Sequence, residues 1–321
     1  MKYSFGRWVG IFSLLAVLIP TPGAAQYWLH DDGSKTNRSM FRLMDEWPTP
    51  NSYRTGAGSP GPDYWQQQVD YVIETSIDTV THVVSGSERI TYHNNSPEEL
   101  TFLWVQLDQN TRSIEHSRSY QMQGALPEEI SPGFRRFVGL TQFDGGHNIT
   151  RVQLAGHEGA LVDADYHINN TIMRINLPHG LPSGGVLELE IDWNFLVPNN
   201  GRGAKERLDD GWIYELAQWF PRLSVFDDVN GWQTDQFCGR GEFYLEFGNY
   251  DVKITVPWNH IVDATGELQN PEDVLTPTQM ERLEMAYQSE EPRFIVAADE
   301  VMDPASRPVR DGMVTWHYKA E

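Results

Sequence analysis

From Val69 to Ile77 the chain alternates: Val69, Tyr71, Ile73, Thr75 and Ile77 fall on one side and their mostly more polar neighbours on the other. A period of two is the mark of a strand with one buried face. Ile90 and Tyr92 read as its partner strand, reached through Ser85-Gly86-Ser87. Asn94-Asn95-Ser96-Pro97 makes the next turn, and Leu100 to Leu107, apolar on both sides, predicts a central strand covered on both faces. The cleanest alternation is Leu187 to Trp193, where Glu188, Glu190 and Asp192 separate the apolar residues. Phe243 to Phe247 and Tyr250 to Val256 continue the β pattern, with Gly248-Asn249 as the turn between them.

One helix interrupts this rhythm. Thr276 is its cap, Pro277 its first residue and Gln279 the partner in a Thr-x-x-Gln capping box. Met280, Leu283 and Tyr287 then share one face. The predicted fold class is therefore mostly β, a sandwich-like arrangement of largely antiparallel sheets with one or two short helices. No repeat of about 20 to 50 residues is present.

Before Tyr64 the pattern is different. Lys2 and Arg7 precede an uncharged, largely apolar run from Trp8 to Ile19, and Pro20, Pro22 and Gly23 break it ahead of Ala24-Ala25. Twelve helical residues span only about 18 Å, short of a bilayer core of about 30 Å. Residues 1–25 are accordingly expected to be an export signal, cleaved before Gln26, leaving no membrane span. Residues 26–63 read as a flexible linker, punctuated by Asp31-Asp32-Gly33-Ser34, Pro48-Thr49-Pro50 and a Gly/Pro-rich run from Gly56 to Pro62. The expected destination is the periplasm or the extracellular space.

Charge and cysteine content narrow the functions further. The chain carries a formal charge of −21, which becomes −23 once Lys2 and Arg7 leave with the signal. Such a surface repels phosphate backbones, so nucleic acid is not an expected partner. Cys238 is the sole cysteine, which excludes an intrachain disulfide and any cysteine-based zinc ribbon.

No catalytic constellation is legible. A zinc hydrolase of the H-E-x-x-H type needs two imidazoles one helical turn apart, and His157-Glu158-Gly159-Ala160-Leu161 lacks the second. Ser59 lacks the first glycine of a G-x-S-x-G elbow, and Gly201-Arg202-Gly203 lacks the remainder of a phosphate loop. The acids of Leu187–Trp193 read as a solvated strand face. Glu242 and Glu246, four strand residues or about 13 Å apart, are too distant for a glycosidase pair at about 5 to 9.5 Å. Neither a catalytic residue nor a metal ligand is assigned, and no cofactor is expected in this chain.

Longer strings carry more information. Gln218-Trp219-Phe220-Pro221-Arg222, Gly231-Trp232, the run from Gly241 to Val252, Ile254-Thr255-Val256-Pro257 and Ala264-Thr265-Gly266-Glu267-Leu268 follow one another. With Leu103-Trp104-Val105-Gln106-Leu107-Asp108-Gln109-Asn110 nearer the start, they resemble the amino-terminal β domain of exported bacterial members of the aminopeptidase N family of zinc metallopeptidases. The resemblance covers nearly all of residues 64–321.

It implies a saddle-like β domain within a larger enzyme, in which a following thermolysin-like domain carries the H-E-x-x-H zinc site and removes amino-terminal residues from peptides. That catalytic domain is the implied partner, peptides the implied substrates and zinc the implied cofactor of the complete enzyme. This chain stops close to where the second domain would begin, so Met313 to Tyr318 is expected to form a final strand beside an uncovered apolar face near Trp316 and Tyr318. The family also uses a Gln or Glu of the β domain to bind the substrate's free α-amino group, and Gln218 and Glu215 are the candidates. The competing reading of those two residues is a polar side chain paired within the sheet. The competing function is a secreted β-sandwich binding module for carbohydrate or peptide. It would need exposed, coplanar aromatics, whereas Trp104, Trp193, Trp219 and Trp232 are expected to be mostly buried.

Overall fold

A computed structural model describes residues 50–116, 144–156, 160–199, 205–208, 211–237 and 245–321. The predicted export signal, most of the predicted linker, Cys238 and the strings at 157–159, 201–203 and 241–244 lie outside those residues. The first strands are β1 (Gln68–Asp78), β2 (Val83–His93), β3 (Leu100–Gln106), β4 (Asn148–Ala155), β5 (Leu161–Asp163), β6 (Asp165–Asn169), β7 (Ile172–Leu181) and β8 (Val186–Leu196). Short strands follow: β9 (Lys205–Leu208), β10 (Gly211–Tyr214), β11 (Arg222–Leu223), β12 (Phe226–Asp227) and β13 (Gly231–Trp232). The last are β14 (Tyr250–Pro257), β15 (Glu267–Leu268) and β16 (Met313–Ala320), with helices α1 (Pro271–Val274) and α2 (Pro277–Tyr287) ahead of β16.

Eight strands form one sheet in the order β15-β16-β14-β1-β2-β8-β4-β5, and four form a second, β11-β3-β7-β6. The fold is mostly β, and its strands pair antiparallel except where β1 runs parallel to β14. The alternation in the sequence places the core. Val69, Tyr71, Ile73 and Ile77 of β1 and Leu189, Ile191 and Trp193 of β8 are all buried, and with Leu103 and Val105 of β3 they form one apolar cluster shared by both sheets. β3 lies between β11 and β7, an interior strand as its two apolar faces predict.

Two glycines expected at turns have other roles. Gly86 lies inside β2, opposite Trp193 of β8, and the chain turns earlier, before Val83. A Cβ on Gly86 would stand 2.3 Å from the Trp193 ring, so the glycine is the slot that admits the indole. Gly248 does not join a hairpin: β14 pairs with β1 and β16, and a Cβ at 248 would meet the Val69 carbonyl.

Helix α2 has the predicted cap: the Thr276 side chain accepts from the Gln279 amide while the Gln279 side chain accepts from Thr276 N–H. Met280 and Leu283 pack on the core, but Tyr287, one turn further, is 70% exposed. The final strand forms where it was expected, but Trp316 and Tyr318 do not border an uncovered face: both rings are buried in the apolar cluster, on a strand paired with β14 and β15.

Residues 50–63, within the segment read as linker, turn back onto the domain. Arg54 forms a two-pronged ion pair with Asp228, its Nε at 2.8 Å from Oδ2 and Nη2 at 2.9 Å from Oδ1, and lies over the Tyr64 ring. Among the described residues no helix is long and apolar enough to cross a membrane.

Candidate functional site

Glu215 and Gln218 lie on the loop that leaves β10 and enters β11. Neither side chain has a hydrogen-bond or ion-pair partner among the described residues; Glu215 is exposed and Gln218 half-buried. The backbone beneath them, by contrast, is held. Gln109, in the 3-10 turn that follows β3, donates its side-chain amide to the carbonyls of Ala217 (3.1 Å) and Gln218 (3.0 Å). Arg112 donates to Gln109 Oε1 at 2.6 Å, which fixes the amide's orientation. Gln218 itself has φ +52°, a left-handed conformation that costs a non-glycine residue energy and persists only where its surroundings impose it.

The rest of the loop is clamped from below. Trp219 meets Trp193 and Phe220 edge to face, and Phe220 packs on Tyr71, which is stacked on Tyr250 at 5.0 Å. The Tyr71 hydroxyl accepts from the Leu223 amide at 3.0 Å. Arg222 forms a buried ion pair with Asp108. Burial outweighs that pair and holds the Asp108 carboxyl above its usual range. His147 contacts the Trp219 carbonyl through Nε2 at 3.3 Å, so Nε2 carries the proton. Burial, with a smaller push from Arg222, lowers the His147 pKa to about 4, and the ring is neutral at pH 7.

Two carboxyls lie nearby: Glu88, which was not singled out from the sequence, and Glu246, weighed there only as half of a glycosidase pair. Glu88 projects inward from β2 between Ile73 and Ile191, fully buried, with neither oxygen hydrogen-bonded. Desolvation alone drives its pKa well up. Period-two counting back from Tyr92 and Ile90 places 88 on the same face, so the signal was present in the sequence. Glu246 accepts from the Phe226 amide at 3.1 Å, and burial, with Asp227 adding repulsion, raises its pKa to about 7.

The acids of β8 are not simply solvated. Arg151 pairs with Asp192 at 2.7 Å and Glu190 at 3.1 Å, and Arg89 reaches Glu190 at 3.3 Å. Among the described residues no three His, Cys, Asp or Glu side chains converge as a metal centre requires. Of the four tryptophans that distinguish a sugar-binding surface, Trp193 and Trp232 are buried and Trp104 and Trp219 half-buried against the core. None presents an open platform.

No protein-family model and no curated protein matches the chain. Among solved structures it is similar to the M1 zinc metallopeptidase of Deinococcus radiodurans, at 13% identity and a TM-score of 0.36, over 82% of this chain and 40% of that one. A mutant of that enzyme bound to a Tyr-Ser-Ala substrate gives the same identity and score over 81% of this chain. A two-domain M1 zinc metallopeptidase mutant bound to L-arginine is similar at 12% identity, with a TM-score of 0.36. The chain spans about two-fifths of the length of these proteins. At this identity and score the likeness establishes neither a family nor an activity for it.

Proposed function

We propose that residues 64–321 are the noncatalytic amino-terminal β domain of an exported zinc aminopeptidase, with an export signal at 1–25 and a linker at 26–63. In the complete enzyme Gln218 or Glu215 accepts a hydrogen bond from the substrate's free α-amino group. The zinc and its ligands belong to the thermolysin-like domain. The observation that carries this reading is the contrast at the 215–218 loop: its backbone is fixed by Gln109, while both acceptor side chains are unpaired. An ammonium needs acceptors held in place, and a side-chain carbonyl or carboxylate on a rigid segment provides them. The resemblance of the strings from Tyr214 to Leu268 supports the family, and the inward tryptophans weigh against the binding-module alternative.

The test uses the complete gene product, assayed on aminoacyl-naphthylamides with free and with blocked amines. Replacing the anchoring residue, by Glu215→Ala or Gln218→Ala, removes a hydrogen bond to a charged group worth about 1.5–3 kcal/mol, or roughly 10- to 150-fold in kcat/KM. The loss is confined to free-amine substrates. Wild-type selectivity in both variants would remove the anchor from this loop, and a complete product without H-E-x-x-H would remove the aminopeptidase reading itself.

A further inference from the structure

The 3-10 turn Asp108–Arg112 carries a run of buried polar residues, Asp108, Gln109 and Asn110, and each is committed to a different segment. Asp108 pairs with Arg222. Gln109 spends its amide N–H groups on the Ala217 and Gln218 carbonyls. Asn110 accepts from the His147 amide and donates to the Asn170 carbonyl, both at 2.8 Å. Arg112 closes the set: its side chain donates to Gln109 Oε1 and its carbonyl accepts from the Gly145 amide. One short turn thus grips the segment from 217 to 222 at two points, and is itself braced by the residues that lead into β4 and β7. Such bonds add little net stability, since each replaces one to water. What they supply is place.

That distinguishes the two candidate acceptors. The Gln218 carbonyl is held at 3.0 Å, and the residue keeps its left-handed φ of +52° above this grip. No side chain among the described residues holds the backbone of Glu215, which is exposed to water. Fixed peptide units fix where the Gln218 side chain starts, so only its own torsions remain to be ordered on binding. An anchor about 1 Å out of place loses most of its value.

We propose that Gln218, not Glu215, accepts from the substrate's α-ammonium, and that Gln109, oriented by Arg112, is its positioning residue. The inference rests on the aminopeptidase reading above and adds which side chain binds and what sets its place. Gln109 touches no substrate; it acts through the 217–218 peptide units.

The test measures kcat and KM of the complete gene product separately, on aminoacyl-naphthylamides with free and with blocked amines, with a melting temperature for each variant. Gln109→Glu keeps the acceptor for Arg112 and the shape of the side chain but turns an oxygen onto both carbonyls. KM for free-amine substrates rises by about tenfold with kcat little changed, because the anchor is lost equally from the ground and transition states. Arg112→Met leaves Gln109 in place but free to turn, gives a smaller rise of the same kind, and carries the test if Gln109→Glu does not fold. Gln218→Met loses the preference for free amines, and Gln218→Glu, which retains an acceptor, keeps it. A fall in kcat on both substrates that follows the melting temperature would make Gln109 merely structural. Loss of the free-amine preference in Glu215→Ala but not in Gln218→Met would move the anchor. Either result overturns this inference and leaves the aminopeptidase reading standing, whereas a complete product inactive on every free-amine substrate overturns both.

Discussion

Trp193 is approached by two segments built on different principles. β2 meets it with backbone alone, since Gly86 leaves the space that the indole fills. The 215–221 loop meets it with Trp219, and that loop is held by hydrogen bonds from Gln109 and His147 and, just beyond it, by the Leu223 amide donating to Tyr71. Shape fixes the first contact and polar groups fix the second. Apolar strand packing follows from alternation and tolerates compensating changes in volume. A buried polar clamp depends on single donors and acceptors, each costly to orphan. Strands therefore form the rigid frame, and the loop with the unpaired acceptors is fastened to it at a few named atoms.

The comparison is most easily broken at the slot. Trp193→Ala costs about 3–5 kcal/mol of unfolding free energy. Gly86→Ala alone costs about 1–3 kcal/mol by overpacking, and next to nothing when Trp193 is already Ala. Urea denaturation of both single variants and the double variant measures the coupling. Additive losses would mean that Gly86 serves some purpose other than admitting the ring.

A smaller effect of opposite sign is expected at Glu88, the one acid on the inner face of β2. Its carboxyl has a raised pKa in the fold, so its protonated form contributes fully below the unfolded value of 4.5, and that stability is lost as pH rises. Glu88→Leu is therefore stabilising by about 1–3 kcal/mol at pH 7, with a smaller gain near pH 4. His147 runs the other way, its contribution full above pH 6.5 and lost as pH falls toward about 4. Thermal melts of wild type and Glu88→Leu at both pH values check this. Destabilisation at pH 7 would show that the carboxyl has a partner it needs.

How much was legible follows the same division. Val69 to Ile77 and Leu187 to Trp193 announced β1 and β8 with their inward faces, and Thr276-Pro277-Thr278-Gln279 announced the start of α2. Gly86 and Gly248 were misread because a local rule assigns glycine to turns, whereas here a ring and a carbonyl from distant strands demand it. Tyr287 kept helical phase yet fell outside the packed area, and Trp316 and Tyr318 gained cover from β15 and the segments before β16. Those are tertiary facts with no local signature. At the candidate site, Gln218 and Glu215 came from resemblance, while Gln109, His147 and Tyr71 reach the loop from positions 72 to 152 residues away in sequence, with Arg112 orienting Gln109.

That buried polar groups fasten the loop to the frame is tested most directly by amide hydrogen exchange at Leu223 in Tyr71→Phe. The substitution keeps the ring that packs on Phe220 and Tyr250 and deletes only the oxygen that accepts from Leu223 N–H. Exchange at Leu223 is predicted to accelerate by about 5- to 30-fold, equivalent to about 1–2 kcal/mol, while amides in the centre of β8 are unchanged. An unaltered Leu223 rate, or an equal acceleration across β8, would contradict it.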